Sequence, residues 1–365
     1  MKFIITLAFF TALAFQGFAQ GCVAIRSNGA SCSMQHADTD SSSFTFGANY
    51  RYFKSFRHFS GTTEQKQRLV QHTEVINFST SLDLSLTKKL SSRWSVSLTV
   101  PMLDNTRSSL YEHGLINGVN LKNERHSTHS FGLGDMRIAA YRWLIDPKKH
   151  TKVNIQAGLG IKFATGDYNY KDYWYNVGPG GTKELRTVDQ SIQLGDGGTG
   201  ITTELNMYYM PSPKLNIYAN AYYLINPRNV NGTRTYRETL SPSLANEDMM
   251  SVPDQYMVRA GASYQISAVS GLAVLAGGRM EGIPVYDLVG GSDGFRRPGY
   301  VISVEPGINY SAKKTSWYLT MPIALSRNRL QSVTDIENSK KTGVFRQGDA
   351  AFADYSINIG CAIKF

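Results

Sequence analysis

The sequence predicts an all-β chain: a transmembrane antiparallel β-barrel of about twelve strands. Three observations carry that expectation. Apolar and polar residues alternate with a period of two along most of the chain. The connections alternate strictly between short polar turns and long loops. No run of about 18 apolar residues occurs beyond the first twenty positions, which excludes a helical membrane protein.

The alternation is clearest at the C-terminus. Tyr355, Ile357, Ile359, Cys361, Ile363 and Phe365 share one parity, and Asp354, Ser356, Asn358, Gly360, Ala362 and Lys364 share the other. Successive strand residues point to opposite faces, so one face is apolar and one is wet. Leu215 to Leu224, Val153 to Phe163 and Trp94 to Met102 repeat the pattern. The full set of expected strands is 43–53, 72–87, 92–102, 128–144, 151–163, 198–210, 214–225, 255–266, 270–281, 298–311, 315–324 and 352–365. Strands of this length suit a tilted crossing of a bilayer.

Five connections are short: Lys88 to Ser92, Asp146 to His150, Pro211-Ser212-Pro213, Ser267 to Ser270 and Ala312-Lys313-Lys314. The others are long and rich in Gly, Asn, Asp, Ser and Tyr. Outer-membrane barrels place short turns on the periplasmic side and long loops outside. An even strand number puts both termini with the short turns. Aromatic residues near strand ends, among them Trp94, Trp143, Tyr209, Tyr223, Tyr264, Trp317 and Phe365, suit interfacial girdles. A soluble β-sandwich is the rival, but it has no reason to alternate its loop lengths and should carry more strongly aliphatic faces.

Composition agrees. Of 365 residues, 18% are charged and 42% hydrophobic, with 33 glycines and 21 tyrosines. That is poor in helix formers and suits half-buried pleated surfaces. The formal charge is +10, and removing a segment that contains Lys2 lowers it by one to +9. The cations are scattered through turns and loops without a basic stripe or nucleic-acid motif, so no nucleic-acid partner is expected.

The first nineteen residues read as a signal peptide: Met1-Lys2, an apolar run from Phe3 to Phe15, then small residues at Gly17 and Ala19. The expected organisation is a signal peptide at 1–19, a periplasmic segment at 20–42 and the barrel at 43–365, in the outer membrane of a Gram-negative bacterium. Cys22 has two competing fates, lipid attachment after Ala19-Gln20-Gly21 or a disulfide with Cys32 in an oxidising compartment. Cys361 reads as a small apolar filler in the last strand.

In a barrel the polar faces line a lumen. The candidate lumen and selectivity residues are Arg51, Asp83, Asp135, Arg137, Lys162, Glu204, Arg259, Arg279, Glu305 and Asp354, with Lys364 near the end. Their bland role is ion pairing across the interior; their functional role is a field that selects a solute. Phe131 and Leu133 share one parity while Met136, Ile138 and Ala140 share the other, so one extra residue is expected at Gly134. A bulge there turns Asp135 and Arg137 inward.

Gly132-Leu133-Gly134-Asp135, Ala164-Thr165-Gly166-Asp167-Tyr168 and Gln193-Leu194-Gly195-Asp196-Gly197-Gly198-Thr199-Gly200 resemble, in this order, the outer-membrane proteins named for the meta-pathway of phenol degradation, a broad family of putative transporters. The clear similarity covers roughly residues 128 to 225. It implies a barrel related to channels for hydrophobic small molecules. The N-terminal hatch of long-chain fatty-acid channels is not evident in this chain.

The expected function is therefore an outer-membrane channel or transporter for small molecules, hydrophobic or aromatic ones included, without catalysis. The alternatives are a structural or adhesive surface barrel with a filled lumen, and a membrane-embedded lipid hydrolase using Ser127 and His129. His126 and His129 fall on opposite faces of a strand, which argues against a shared metal. Neither a cofactor nor a metal is expected. The glycine stretch at Gly195 lacks the lysine and helix of a phosphate loop. The loop from Asp167 to Tyr175 suits ring stacking, a plug at the pore mouth, or an ordinary mobile loop. Expected partners are membrane lipids, the solute, and the assembly machinery that reads a C-terminal strand ending in an aromatic such as Phe365.

Overall fold

A computed structural model describes residues 43–114, 124–236, 240 and 242–365. The signal segment, residues 20–42, Cys22 and Cys32 lie outside the described residues. The chain forms a closed antiparallel barrel of twelve strands. These are β1 (Phe44–Ser60), β2 (Ile76–Lys89), β3 (Trp94–Ser109), β4 (His126–Leu133 with Arg137–Trp143), β5 (Val153–Lys162), β6 (Gly200–Ser212), β7 (Leu215–Ile225), β8 (Gln255–Gln265), β9 (Leu272–Ile283), β10 (Gly299–Ser311), β11 (Thr315–Thr320 with Ile323–Arg329) and β12 (Ala350–Lys364).

All twelve expected strands are present. Several run farther outward than alternation alone suggested: β1 reaches Ser60, β3 Ser109 and β11 Arg329. The ladder continues past the bilayer because each extended strand still finds a neighbour, as in Ile76 opposite Ser108. The turn between β6 and β7 falls at Pro213 and Lys214, at the end of the expected Pro-Ser-Pro stretch.

Closure runs through β1 and β12, paired from Thr45 opposite Lys364 to Phe59 opposite Ala350 with an irregularity around Ser55. At the seam Phe44 and Phe365 exchange both backbone hydrogen bonds at 3.0 Å, and their rings stack at 6.0 Å. Both strand ends therefore lie with the short turns, leaving every long loop at the other end.

The packing is inverted relative to a water-soluble protein. Leu159 on β5 is 62% exposed, whereas Asn154 on the same strand is fully buried. Phe46, Leu98, Ile217, Val274, Leu319 and Ile359 likewise face outward, while Asn49, Ser97, Asn216, Asn220, Asn309 and Asn358 face inward and are buried. A polar lumen inside an apolar belt is the arrangement that a surrounding hydrocarbon phase stabilises.

Two strands are interrupted, each beside a proline. In β4, Leu133 opposes Met102 but Arg137 opposes Thr99, so four steps on β4 match three on β3. The extra residue predicted at Gly134 is there, and Gly134 donates its N–H to the carbonyl of Pro101 at 2.8 Å. In β11 the break at Met321-Pro322 lies against Pro306, whose carbonyl accepts from Met321 at 3.0 Å. A proline in a ladder cannot donate, so its neighbour loses a rung and bends there.

The inverted pattern makes a test. Leu205→Arg on the outward face of β6 should lower folding stability in lipid vesicles by about 2–4 kcal/mol. Thr202→Ser, inward on the same strand and buried, removes one methyl group and should cost only about 0.5–1.5 kcal/mol. Denaturant titration of both variants measures the difference.

Candidate functional site

The lumen is occupied in layers. Low in the barrel is a belt of ion pairs. Arg51 of β1 reaches Glu281 of β9 at 3.0 Å, Arg279 meets Glu281 at 2.7 Å and Glu305 at 3.9 Å, and Arg259 meets Glu305 at 3.3 Å. Strands β1 and β9 are four apart around the wall, so this contact is a chord across the interior. A ladder of amides continues from Arg259 to Asn220 (2.7 Å), from Asn220 to Asn206 (2.8 Å) and from Asn206 to Gln156 (3.3 Å). Beside the end of this ladder Arg137 lies 3.6 Å from Glu204, which also accepts the Tyr141 hydroxyl at 3.1 Å. Each of these buried charges has an opposite partner, which offsets part of the cost of taking it out of water.

Above the belt, loop segment 189–197 folds into the mouth of the barrel and is pinned at both ends. Asp189 is fully buried and is gripped by Arg297 at 2.7 and 3.0 Å, with Arg107 at 3.5 Å. Burial alone would raise this carboxyl. The Arg107 and Arg297 charges outweigh burial and hold it well below the usual carboxylate range. Arg107 is itself tied to Glu112 at 2.6 Å, and Glu112 accepts the Tyr236 hydroxyl at 3.0 Å.

At its other end the segment docks on the β4 bulge. Asp135 accepts the N–H of Gly166 at 3.0 Å and that of Asp196 at 3.2 Å, while Lys162 bridges Asp135 (3.3 Å) and Asp196. Thr165 donates to Gly134 and accepts from Met136. The three glycine–aspartate motifs, separate in sequence, thus form one junction. Glycine is required by close approach: a Cβ on Gly195 would lie 2.6 Å from Asp135 Oδ1 and 2.7 Å from the Gly166 carbonyl.

An aromatic cluster seals the cap. The Trp174 ring stacks on Tyr236 at 4.7 Å and lies 5.0 Å from His113, and His126 stacks on Tyr175 at 4.5 Å. Burial depresses the His113 pKa to about 4, against a partial opposing pull from Glu112. The loop from Asp167 to Tyr175 is therefore a structural part of the cap, not an independent mobile loop, because the buried Trp174 ring anchors it.

Between cap and belt lies a chamber of about 160 Å³. Phe53, Leu103, Tyr222, Leu224, Met250 and Ile283 supply its apolar wall, and Ser79, Ser81, Thr99 and Asn105 face it with hydroxyls and an amide. Asp83, Asp135, Arg137 and Lys162 also border it, as does the plug through Leu194 and Gln193. A separate cavity of about 670 Å³ opens among the short turns at the other end, lined by residues such as Lys214, Gln265 and Lys313.

The ten lumen residues expected from sequence take three positions. Arg51, Arg259, Arg279 and Glu305 build the belt; Asp83, Asp135, Arg137 and Lys162 border the chamber, with Glu204 behind Arg137. Asp354 stands apart near the outer rim, paired with Arg57 at 2.8 Å and with Arg327. Glu281 shares the inward parity of Arg279, which is the sequence signal that marks it. Arg107 lies beyond residue 102, where the clear alternation of β3 ends. Asp189 and Arg297 sit in loops without periodicity, so no sequence signal marks them.

His126 and His129 do fall on opposite faces: His126 joins the aromatic cap, and outward His129 meets the Thr106 hydroxyl at 2.9 Å, not Ser127. Among the described residues no group of three or more His, Cys, Asp or Glu is placed to hold a metal.

No family model and no curated protein sequence matches the chain. Solved structures do. The COG4313 outer membrane channel from Pseudomonas putida F1 superposes with a TM-score of 0.56 at 10% identity, over 90% of this chain and 97% of that one. The Ralstonia pickettii toluene transporter TbuX gives 0.42 at 9% identity, over 95% and 96%. A Pseudomonas aeruginosa FadL homologue gives 0.41 at 10%, also over 95% and 96%. The fold is thus that of an outer-membrane barrel. The first of these comparisons carries that statement, since the other two scores are too low to add to it.

Two measurements follow from the cap. Gly195→Ala forces a clash at the junction, and overpacking of this kind costs about 1–3 kcal/mol. Amide exchange across 189–197 should then speed up by about tenfold or more, with the β6–β7 ladder unchanged. For His113, a depressed pKa favours the neutral form in the closed cap. The cap should be fully stable above about pH 6.5 and should loosen as pH falls towards the folded value of about 4. Acrylamide quenching of Trp174 should increase over that window, and His113→Phe should flatten the response.

Proposed function

We propose that the protein is an outer-membrane channel for small, largely uncharged molecules, held closed in this conformation, and that it carries out no catalysis. The single observation that carries this reading is the chamber between cap and belt. Its volume of about 160 Å³ compares with an apolar cavity of about 150 Å³ that holds benzene. The two bordering cations of the wall are already matched, Lys162 with two aspartates and Arg137 with Glu204, so an anionic solute would have to break a pair at either one. A ring-sized molecule with an apolar body and a hydrogen-bonding edge fits the mixed wall. The motif resemblance to the meta-pathway transporter family agrees with such a solute.

The ion-pair belt favours a second reading, a structural barrel with a filled lumen. Conductance of the refolded protein in planar bilayers, at low and high salt, separates the two. A closed channel should give rare discrete steps. Removing one partner of a buried ion pair costs about 3–5 kcal/mol, so Asp189→Asn and Arg297→Gln should raise the open fraction about tenfold or more. Silence from wild type and both variants, in protein shown to be folded by heat-modifiable migration, would leave the structural barrel.

A further inference from the structure

Three hairpin ends border the cavity of about 670 Å³ at the short-turn end of the barrel. Its size is that of a small-molecule site, about 300–1,000 Å³. Lys214 comes from the β6–β7 turn, Gln265 from the end of β8 and Lys313 from the β10–β11 turn. Backbone hydrogen bonds tie these ends together. Gln265 donates its N–H to the Lys214 carbonyl at 2.8 Å, and Ser311 donates to the Gly271 carbonyl at 2.9 Å. Gly271 has a φ of +80°, and a Cβ there would lie 2.0 Å from the Ser311 carbonyl oxygen, so glycine is what lets β10 end this close.

The inner wall of the cavity belongs to the lumen. Asn216, Gln265 and Ser311 line it with the parity of the buried residues Asn220, Ser263 and Asn309 on their strands. Asn216 is itself buried, and its Oδ1 has no hydrogen-bond partner; nor has Oδ1 of Asn309, two residues inward of Ser311. Buried acceptors normally find a donor, so this wall is short of donors. Charge is one-sided as well. Residues 88–93, 144–152, 211–214, 266–271 and 312–314 make up the five short turns, and they hold nine lysines and arginines against one acid, Asp146. That carboxylate accepts the N–H of Lys148 within its own turn. Lys214 and Lys313 are exposed and have no carboxylate partner among the described residues. Two cations on one cavity repel each other and draw in an anion.

We propose that this cavity binds a small organic anion that also carries hydroxyl donors, a hydroxy acid, with Lys214 and Lys313 on its carboxylate and the Asn216 and Gln265 amides on its hydroxyls. The site lies on the far side of the ion-pair belt from the chamber, and its occupation does not depend on the channel opening. A lipid headgroup fits less well, because the donor-short amides face the lumen and not the membrane.

The test uses the full chain refolded in phosphatidylcholine nanodiscs and titrated calorimetrically with gluconate, with sorbitol and with hexanoate. Gluconate, which has both chemistries, should bind saturably, and the other two about tenfold more weakly. Lys214→Gln and Lys313→Gln should each weaken gluconate about fivefold, and salt at about 0.5 M should weaken it too. Asn216→Ala should weaken gluconate and leave hexanoate unchanged, a split that misfolding would not produce. Lys149→Gln, in a turn that does not line the cavity, should change nothing. Absence of saturable gluconate binding would overturn the proposal, as would binding unchanged in the Lys214→Gln/Lys313→Gln double variant. So would equal affinity for hexanoate, which would leave only a general basic surface. Heat-modifiable migration confirms that each variant is folded, and since no current is read, the result stands apart from the conductance experiment.

Discussion

In hydrocarbon an unpaired backbone N–H or C=O has no water to turn to, and the cost is several kcal/mol per group. Everything else in this molecule depends on that constraint. It demands that β1 meet β12, which the Phe44–Phe365 exchange and the register from Thr45 onward accomplish. Closure in turn fixes which face of every strand meets lipid. The outward face must then be apolar at residues such as Leu159 and Ile359, and the polar residues have nowhere to go but inside.

An interior filled with arginine and carboxylate side chains creates the next requirement. A barrel of twelve strands is narrow enough for long side chains to meet across it, as Arg51 does with Glu281. The ion-pair belt is thus a consequence of putting charge in a narrow lumen, and it narrows the passage at that level. The cap covers the passage from above by the same means, a buried carboxylate at Asp189 between two guanidiniums. What remains between the two is the chamber. Its walls mix apolar side chains with hydroxyls, amides and paired charge.

The bulge in β4 links wall and cap. Pro101 cannot donate to its neighbour, the ladder of β4 slips by one residue, and Asp135 turns from lipid to lumen. There it receives backbone N–H groups from Gly166 and Asp196 and the ammonium of Lys162. The short motifs that stand out in the sequence are explained by this meeting point: glycines because backbones touch, aspartates because the freed N–H groups need acceptors.

The sequence by itself determined the strand number, the side of each strand that faces lipid, the end at which the long loops lie and the Gly134 bulge. All of these follow from period-two alternation and local turn chemistry, which are properties of neighbouring residues. It also marked the lumen-facing charges, because parity is local. Only the tertiary structure decided which charges meet. Arg51 finds Glu281, and Asp189 finds Arg107 and Arg297, through the curvature of the closed barrel and the path of long loops. Loops carry no periodicity to read, and distances across a lumen depend on every strand at once. The cap, the belt and the chamber between them were therefore invisible until the barrel was closed.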